Sequence, residues 1–386
     1  MNVDVSWLSD LLVVGLYLVF TALLGFKLSR KHKNVEAYFL GSRQLPGWAV
    51  GFSLLSTTMS SVTFLAYPTT SYLVDFRLLV KDFAYPIASF FTGLAVAPQF
   101  RKLLKTPSAY ELLEQRYSYT VRLYGAAMYV ISQVIKTATV LYLVSLPIGM
   151  LLGAPKVFMI VGMGVFVTCY SLAGGMAAVV YIDVVQAAIL LLGGAAAVLV
   201  VILKTQGGLS IVISEGAAAH KFSLGSWDWS WSQRTIPTVF TYGVVHYLGK
   251  FITFQDAVQR YLAVPTKKDV YVACTIPGLL AVPTWALFYF IGVSLWVFYR
   301  HHAGVDAATE PDAIFPLFIM NQLPPGVGGI VICGVLAAAM SSVDSSLNAV
   351  SSVIVVDVIQ RSLLPGRSDK VPIFFMGPGG LENRCA

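Results

Sequence analysis

The chain has 386 residues, of which 57% are apolar and only 12% charged, with mean hydropathy +0.74. A soluble globular chain carries about 25% charged residues, so this composition excludes an ordinary soluble domain and fits a polytopic membrane protein. The net charge of +7 does not point to nucleic acid, because the basic residues cluster in short loops between apolar stretches, where orientation signals belong.

The first apolar run, about 7–28, is long enough for a true span. Asp4 and Asp10 stand before and within its first turn and Lys27, Arg30, Lys31 and Lys33 at and beyond its end, which predicts a retained helix with an outward N-terminus rather than a cleavable signal. Eight further runs are candidate spans, at about 47–72, 82–100, 122–153, 156–174, 180–203, 236–259, 270–299 and 325–360. With the N-terminus outside, the inner loops hold Arg43, Arg101, Lys102, Lys105, Arg116, Arg122, Arg260, Lys267, Lys268, Arg361, Arg367 and Lys370 as well as the first basic cluster. The outer 303–312 loop is acidic instead, with Asp306, Glu310 and Asp312. The long outer loop 205–235 carries Trp227, Trp229 and Trp231 in alternation with Ser and Asp, which suits an interfacial segment, and 311–324 reads as a surface helix. Cys169, Cys274, Cys333 and Cys385 form neither a disulfide framework nor a metal-binding spacing.

The second span is the unusual one. Seven of the eleven residues from Ser53 to Thr63 carry hydroxyls. Lipid cannot satisfy such groups, so they face protein or a water-lined cavity, and a helix that unwinds there frees backbone carbonyls for a cation. Ser56, Met59, Ser60 and Thr63 share one helical face, and Thr58 joins them only if the helix opens; a regular helix with serines bonded to its own carbonyls is the alternative. In the ninth span, Ala338, Ser341, Ser342 and Ser345 also share a face, with Asp344 one turn from Ser341. Hydroxyl and carboxylate oxygens of this kind suit a hard cation such as sodium. Close helix packing through small residues explains the serines equally well, but a buried carboxylate in lipid needs a partner or an ion.

Three other polar residues sit in apolar context. Asp183 follows the Gly174–Gly175 turn and is either a second buried acid or a helix-start charge favoured by the dipole. Lys136 lies mid-span and requires an anionic partner, from Asp183, Asp344 or a bound carboxylate. Lys250 lies near Gly243 and Gly249, which are candidates for a second helix break, although a position near the inner end of its span explains Lys250 more simply. His246 reads as a packed histidine, and no catalytic constellation is present.

Several segments, from Trp48-Ala-Val-Gly-Phe-Ser-Leu-Leu through Thr106–Tyr117, Gly174–Gln186 and Val258–Ala263 to Ala338–Asn348, resemble the sodium:solute symporter family in order and content. The resemblance implies an all-α, leucine-transporter-type core of two inverted five-helix repeats with one extra N-terminal helix. Residues 1–45 would be that helix and its basic loop, 46–204 the first repeat and 205–235 the extracellular loop. Residues 236–362 would be a second repeat of three helices, incomplete, and 363–386 an atypical tail; the chain reads as C-terminally truncated. It further implies sodium-driven import by alternating access at the bacterial inner membrane, with no cofactor beyond the coupling ion. The family's common sodium site falls on Ser56, Met59, Ala338, Ser341 and Ser342. A second sodium, found in some members, falls on Asp183, Asp344 and Ser345, with Asp344 where a serine stands elsewhere. The branch most similar to this chain includes bacterial sialic acid transporters; its substrate hydroxyls match Thr58, Ser60 and Thr63, and Lys136 stands where that branch has arginine. The expected substrate is therefore a small organic anion, with sialic acid as one candidate. A proton-coupled carrier and a non-transporting sensor are the alternatives.

Overall fold

The computed structural model describes residues 5–28, 35–302 and 310–363. The expected tail beyond Leu363, and the loop residues Arg30, Lys31, Lys33 and Asp306, lie outside them. The described residues are helical apart from short connections, and contain no strand. Backbone groups in hydrocarbon must be bonded within their own segment, which is why an apolar chain of this kind folds as helices.

The first helix, α1 (Val5–Leu28), packs along the outside of the bundle and exposes Leu12, Leu16 and Leu23 as a lipid-type face. The second span is two helices, α2 (Gly47–Thr58) and α3 (Val62–Leu73), bent by 56°. There follow α4 (Leu79–Leu103), α5 (Tyr119–Leu152), α6 (Lys156–Ser171) and α7 (Gly174–Lys204). Gly175, at φ +57° and ψ −168°, turns the chain between α6 and α7, a conformation that requires glycine. The run 205–235, expected as a loop, contains α8 (Gly208–Ala218) and then presents Trp227, Trp229 and Trp231 exposed. The second half continues as α9 (Ile236–Thr253), α10 (Gln255–Leu262), α11 (Lys267–His301), α12 (Ile314–Gln322) and α13 (Val327–Val353), the last extended to Leu363 by a wider π-type turn.

Every candidate span is therefore helical. Six described helices are long and apolar enough to cross a membrane, and the bent pair α2–α3 makes a seventh. Helix α6 is too short and α9 is not among them, because its His246, Lys250 and Gly residues lower its hydropathy. Helix α13 is the axis of the bundle: it packs along α7, α5 and α1, and nearly all its residues from Val331 to Ser346 are buried. Its N-terminus is capped from another helix, since Asp10 Oδ1 accepts from the backbone N–H of Gly326 (2.8 Å) and Gly329 (2.7 Å).

Four further expectations change. Residues 311–324 are not a surface helix: Phe315, Phe318 and Ile319 of α12 are buried, and Phe315 stacks on Phe64 with centroids 5.9 Å apart. Gly243 and Gly249 do not break α9; a Cβ at Gly243 would lie 2.2 Å from Lys81 O, so that glycine serves close packing, and the break comes later, at Phe254. Arg260 is not a loop charge, because every residue of α10 is buried. Arg122 is buried as well, paired with Asp357 and with Glu114 at 2.7 Å. Arg361 on the far side of Glu114 holds that carboxyl below the usual carboxylate range.

Candidate ion and substrate site

Helix α2 stops at Met59, whose extended backbone (φ −86°, ψ 126°) ends the hydrogen-bond ladder inside the protein rather than at its surface. The last carbonyls of a helix have no intrahelical partner. Here two of them find side chains of α13. Ser341 Oγ donates to Ser56 O at 3.1 Å, and Ser342 Oγ donates to Met59 O at 3.4 Å. Ser341 Oγ also lies 3.3 Å from Ala338 O. Ser56, Met59, Ala338, Ser341 and Ser342 are thus one cluster of backbone and hydroxyl oxygens, all nearly inaccessible to solvent. The donor set is hard, uncharged and oxygen-only, which suits a monovalent hard cation. The bonds that close it are long, so an ion ligated by the same five oxygens would replace weak contacts.

A second polar cluster lies one turn along α13. Arg260 of α10 donates from Nη2 to Asp183 Oδ2 at 2.9 Å and to Ser345 Oγ at 2.5 Å. Ser53 Oγ donates to the same Asp183 oxygen at 2.5 Å, Arg260 Nε donates to Ser53 Oγ at 2.7 Å, and Thr57 Oγ1 meets Ser345 Oγ at 2.9 Å. Asp183 lies two turns past Gly175, beyond the reach of the helix-start dipole, and it is fully buried. Its partner is Arg260 and not Lys136. Asp344 accepts from Tyr170 OH at 3.0 Å, with Ser345 Oγ 3.5 Å from its other oxygen, and no described cation is bonded to it. Asp183, Asp344 and Ser345 are therefore brought together, with a built-in guanidinium among them.

The third cluster faces the open end of α2. A break at Phe254 (φ −85°, ψ 122°) separates α9 from α10, with nearly the same backbone angles as Met59. Lys250 precedes that break and Asp256 follows it. Lys250 Nζ donates to Thr58 Oγ1 at 3.3 Å, so Lys250 reaches the broken second span rather than lying spent near a membrane face. Thr58 Oγ1 donates to Leu54 O at 2.8 Å and meets Tyr85 OH at 3.2 Å. Lys136 lies 3.9 Å from Asp256, which answers the question of its anionic partner: Asp256 takes that role among the described residues, not Asp183 or Asp344. Ser60 and Thr63 are engaged locally. Ser60 Oγ accepts from Val62 N–H at 3.2 Å and Thr63 Oγ1 from Ser60 N–H at 3.4 Å, so both cap the start of α3. His246 is exposed and stacks on Tyr242.

Sequence reasoning missed Arg260, Lys250 as a lining residue, and Asp256. One signal was available: Gln-Asp-Ala-Val-Gln-Arg (255–260) places an acid, a base and two amides within six residues next to an apolar run. It looked like the end of a span because its burial depends on partners far away in sequence, such as Gln259 Nε2 on Asn348 Oδ1 (2.7 Å).

Comparison with known proteins identifies the family. The sequence model described as "Sodium:solute symporter family" matches residues 38–370. The Proteus mirabilis sodium/sialic acid symporter is 33% identical over 351 residues, which cover 89% of this chain and 70% of that protein. The Aliivibrio fischeri sodium/sialic acid symporter is 29% identical over 362 residues, covering 92% and 69%. A solved Na+-coupled sialic acid symporter, in a substrate-bound outward-open state, superposes with a TM-score of 0.90 at 30% identity, over 97% of this chain and 79% of that one. The fold is thus of the leucine-transporter type, with two breaks, at Met59 and Phe254, in its helices. The chain belongs to the sodium:solute symporter family: it is a multi-pass membrane protein and a sodium-coupled symporter, not an enzyme.

Proposed function

We propose that this symporter imports a small organic anion bearing a carboxylate, and that its sodium binds between the end of α2 and α13. The observation that carries the anion reading is a charge imbalance. Lys136 and Lys250 stand near a single buried acid, Asp256, which leaves one positive charge beside Thr58. A carboxylate supplies the missing negative charge and accepts hydrogen bonds from ammonium groups and hydroxyls. Sialic acid, transported by the relatives named above, is a carboxylate of this class.

The coupling follows from the backbone. Sodium ligated by Ser56, Met59, Ala338, Ser341 and Ser342 fixes the frayed end of α2. Thr58 sits between two of those residues, so the same ion sets the position of a substrate-side hydroxyl. Ser60 and Thr63 on the other side of the break supply further hydroxyl donors to the anion, since their capping bonds use only the acceptor side of each oxygen. Substrate and sodium then strengthen each other's binding by an equal factor. Around Asp183, Asp344 and Ser345 two carboxylates face one arginine, so this cluster takes one further monovalent cation, and Asp344 is the acid that receives it. Import follows from an inward sodium gradient; the basic residues that remain in loops support an outside N-terminus.

The test is uptake in proteoliposomes under an inward sodium gradient, with N-acetylneuraminate and simpler carboxylates as probes. Sodium-dependent carboxylate uptake is expected. Uptake unchanged when choline replaces sodium would remove the mechanism. Uptake driven by pH at zero sodium would indicate a proton carrier, and binding without flux would indicate a sensor.

A further inference from the structure

A connection between two helices normally runs over the surface, because a buried loop leaves backbone polar groups without partners. Between α4 and α5 the residues 107–110 turn inward instead and are buried, with Ser108 wholly inaccessible. Their backbone finds its partners beside the Phe254 break. Gln255 Nε2 donates to Pro107 O at 2.6 Å, and Gln255 Oε1 accepts from Ala109 N–H at 2.8 Å. One side-chain amide thus pairs with the loop as a neighbouring strand would. Tyr110 OH donates at 3.0 Å to Thr253 O, one of the carbonyls left free where α9 stops.

The loop is held firmly on its other side. Glu111 Oε2 accepts from the N–H groups of Lys105 (3.0 Å) and Thr106 (2.7 Å) and fixes its curve. Ser108 Oγ donates to Asp357 Oδ2 at 2.7 Å, and Asp357 is paired with Arg122 of α5. Loop, α5 and the end of α13 are therefore joined, and α10 is hooked onto them through Gln255. The seam between α10 and α13 continues in the same polar style. Gln255 Nε2 reaches Ser352 Oγ (3.3 Å), Gln259 Nε2 reaches Asn348 Oδ1 (2.7 Å) and Arg260 Nη2 reaches Ser345 Oγ.

A helix that stays in a core permanently gains most from apolar contacts. Amides and charges gain little net from burial, since each bond only replaces one to water, so a seam built of them parts into water at small cost. We propose that the segment 104–110 and Gln255 form a latch that shuts the inner end of the transport path, and that α10 leaves it when the protein opens inward. The inner side is the one that Arg101, Lys102 and Lys105 mark by their charge. The latch rests on that orientation and is independent of the solute carried.

The experiment uses Ala257→Cys, on α10 and 3% exposed, as a reporter in the full chain. It is labelled with a membrane-impermeant maleimide in inside-out vesicles in sodium buffer, and the chain without the reporter gives the background. Position 257 should label slowly while the latch is intact. Tyr110→Phe keeps the ring, removes only the bond to Thr253 O, and should speed labelling about fivefold. Gln255→Met removes three bonds and should speed it about tenfold or more. Sodium-dependent thermal stabilisation shows which variants have folded, and Tyr110→Phe decides alone if Gln255→Met has not. Labelling unchanged in a folded variant would overturn the latch. Acceleration confined to right-side-out vesicles would overturn its inner placement together with the orientation, whereas loss of carboxylate binding alone would touch only the substrate reading.

Discussion

Lys250 Nζ lies 3.3 Å from Thr58 Oγ1, so two interrupted helices are joined beside their breaks, as they are again where Arg260 Nε donates to Ser53 Oγ. Thr58 is the last residue of α2 and Lys250 stands four residues before the break at Phe254. Each interruption exposes backbone that a continuous helix would consume, and each sits beside a polar cluster: the oxygen cradle at Met59 and the buried Gln255–Arg260 run at Phe254.

The cradle makes Ser342 a direct test of coupling. Its Oγ reaches Met59 O at 3.4 Å. Ser342→Ala removes one of five oxygens while leaving a small residue at a packed position. The sodium concentration for half-maximal uptake should rise about tenfold, in line with ~1.4 kcal/mol for one lost ligand. Sodium titration of initial uptake rates measures this. No change would place the ion elsewhere.

The charge imbalance makes a paired prediction. Lys250→Ala removes the unbalanced charge, and carboxylate affinity should fall by about 1.5–3 kcal/mol, the range for a hydrogen bond to a charged group. Lys136→Ala should do likewise, because Asp256 then balances Lys250; adding Asp256→Asn leaves Lys250 as one unmatched positive charge and should restore carboxylate binding. Both are read by carboxylate binding at saturating sodium. Unchanged affinity in the two single variants would refute the anion assignment.

Arg260 carries a structural prediction. It is 1% exposed and bonds Asp183, Ser345, Ser53 and Asp256 O together. Removing one partner of a buried pair costs about 3–5 kcal/mol, since the other charge is left buried. Arg260→Met should therefore lower the thermal midpoint sharply, and Asp183→Asn in the same chain should recover part of the loss. Thermal unfolding of the purified variants checks this; a single variant as stable as the parent would contradict it.

Asp10 ties the outer helix to the central one. It caps the start of α13 through Gly326 and Gly329. Asp10→Ala should cost about 1–2 kcal/mol by analogy with helix caps, while Asp10→Asn should cost less because it retains an accepting oxygen. Comparison of thermal midpoints tests the order of the three proteins. The effect should fall on stability with sodium affinity unchanged.

Much of this protein was legible from its order of residues. Apolar run lengths mark the helices because bilayer thickness sets a length scale that a chain cannot evade. The hydroxyl-rich run at 53–63 marked the break, because lipid offers no partners for such groups, and helical spacing alone put Ser341 and Ser342 on one face. What spacing does not hold is the identity of partners across the bundle. Asp183 lies 77 residues from Arg260, and Lys136 must choose among three acids, Asp183, Asp256 and Asp344, at distances that only packing sets. Arg260 read as a loop charge because a polar run in an apolar chain marks an exit to water, unless tertiary structure surrounds it with acceptors. Hydropathy is a property of neighbours along the chain, and it determined where helices run. Charge pairing is a property of neighbours in space, and only the folded bundle decided which acid each base would face.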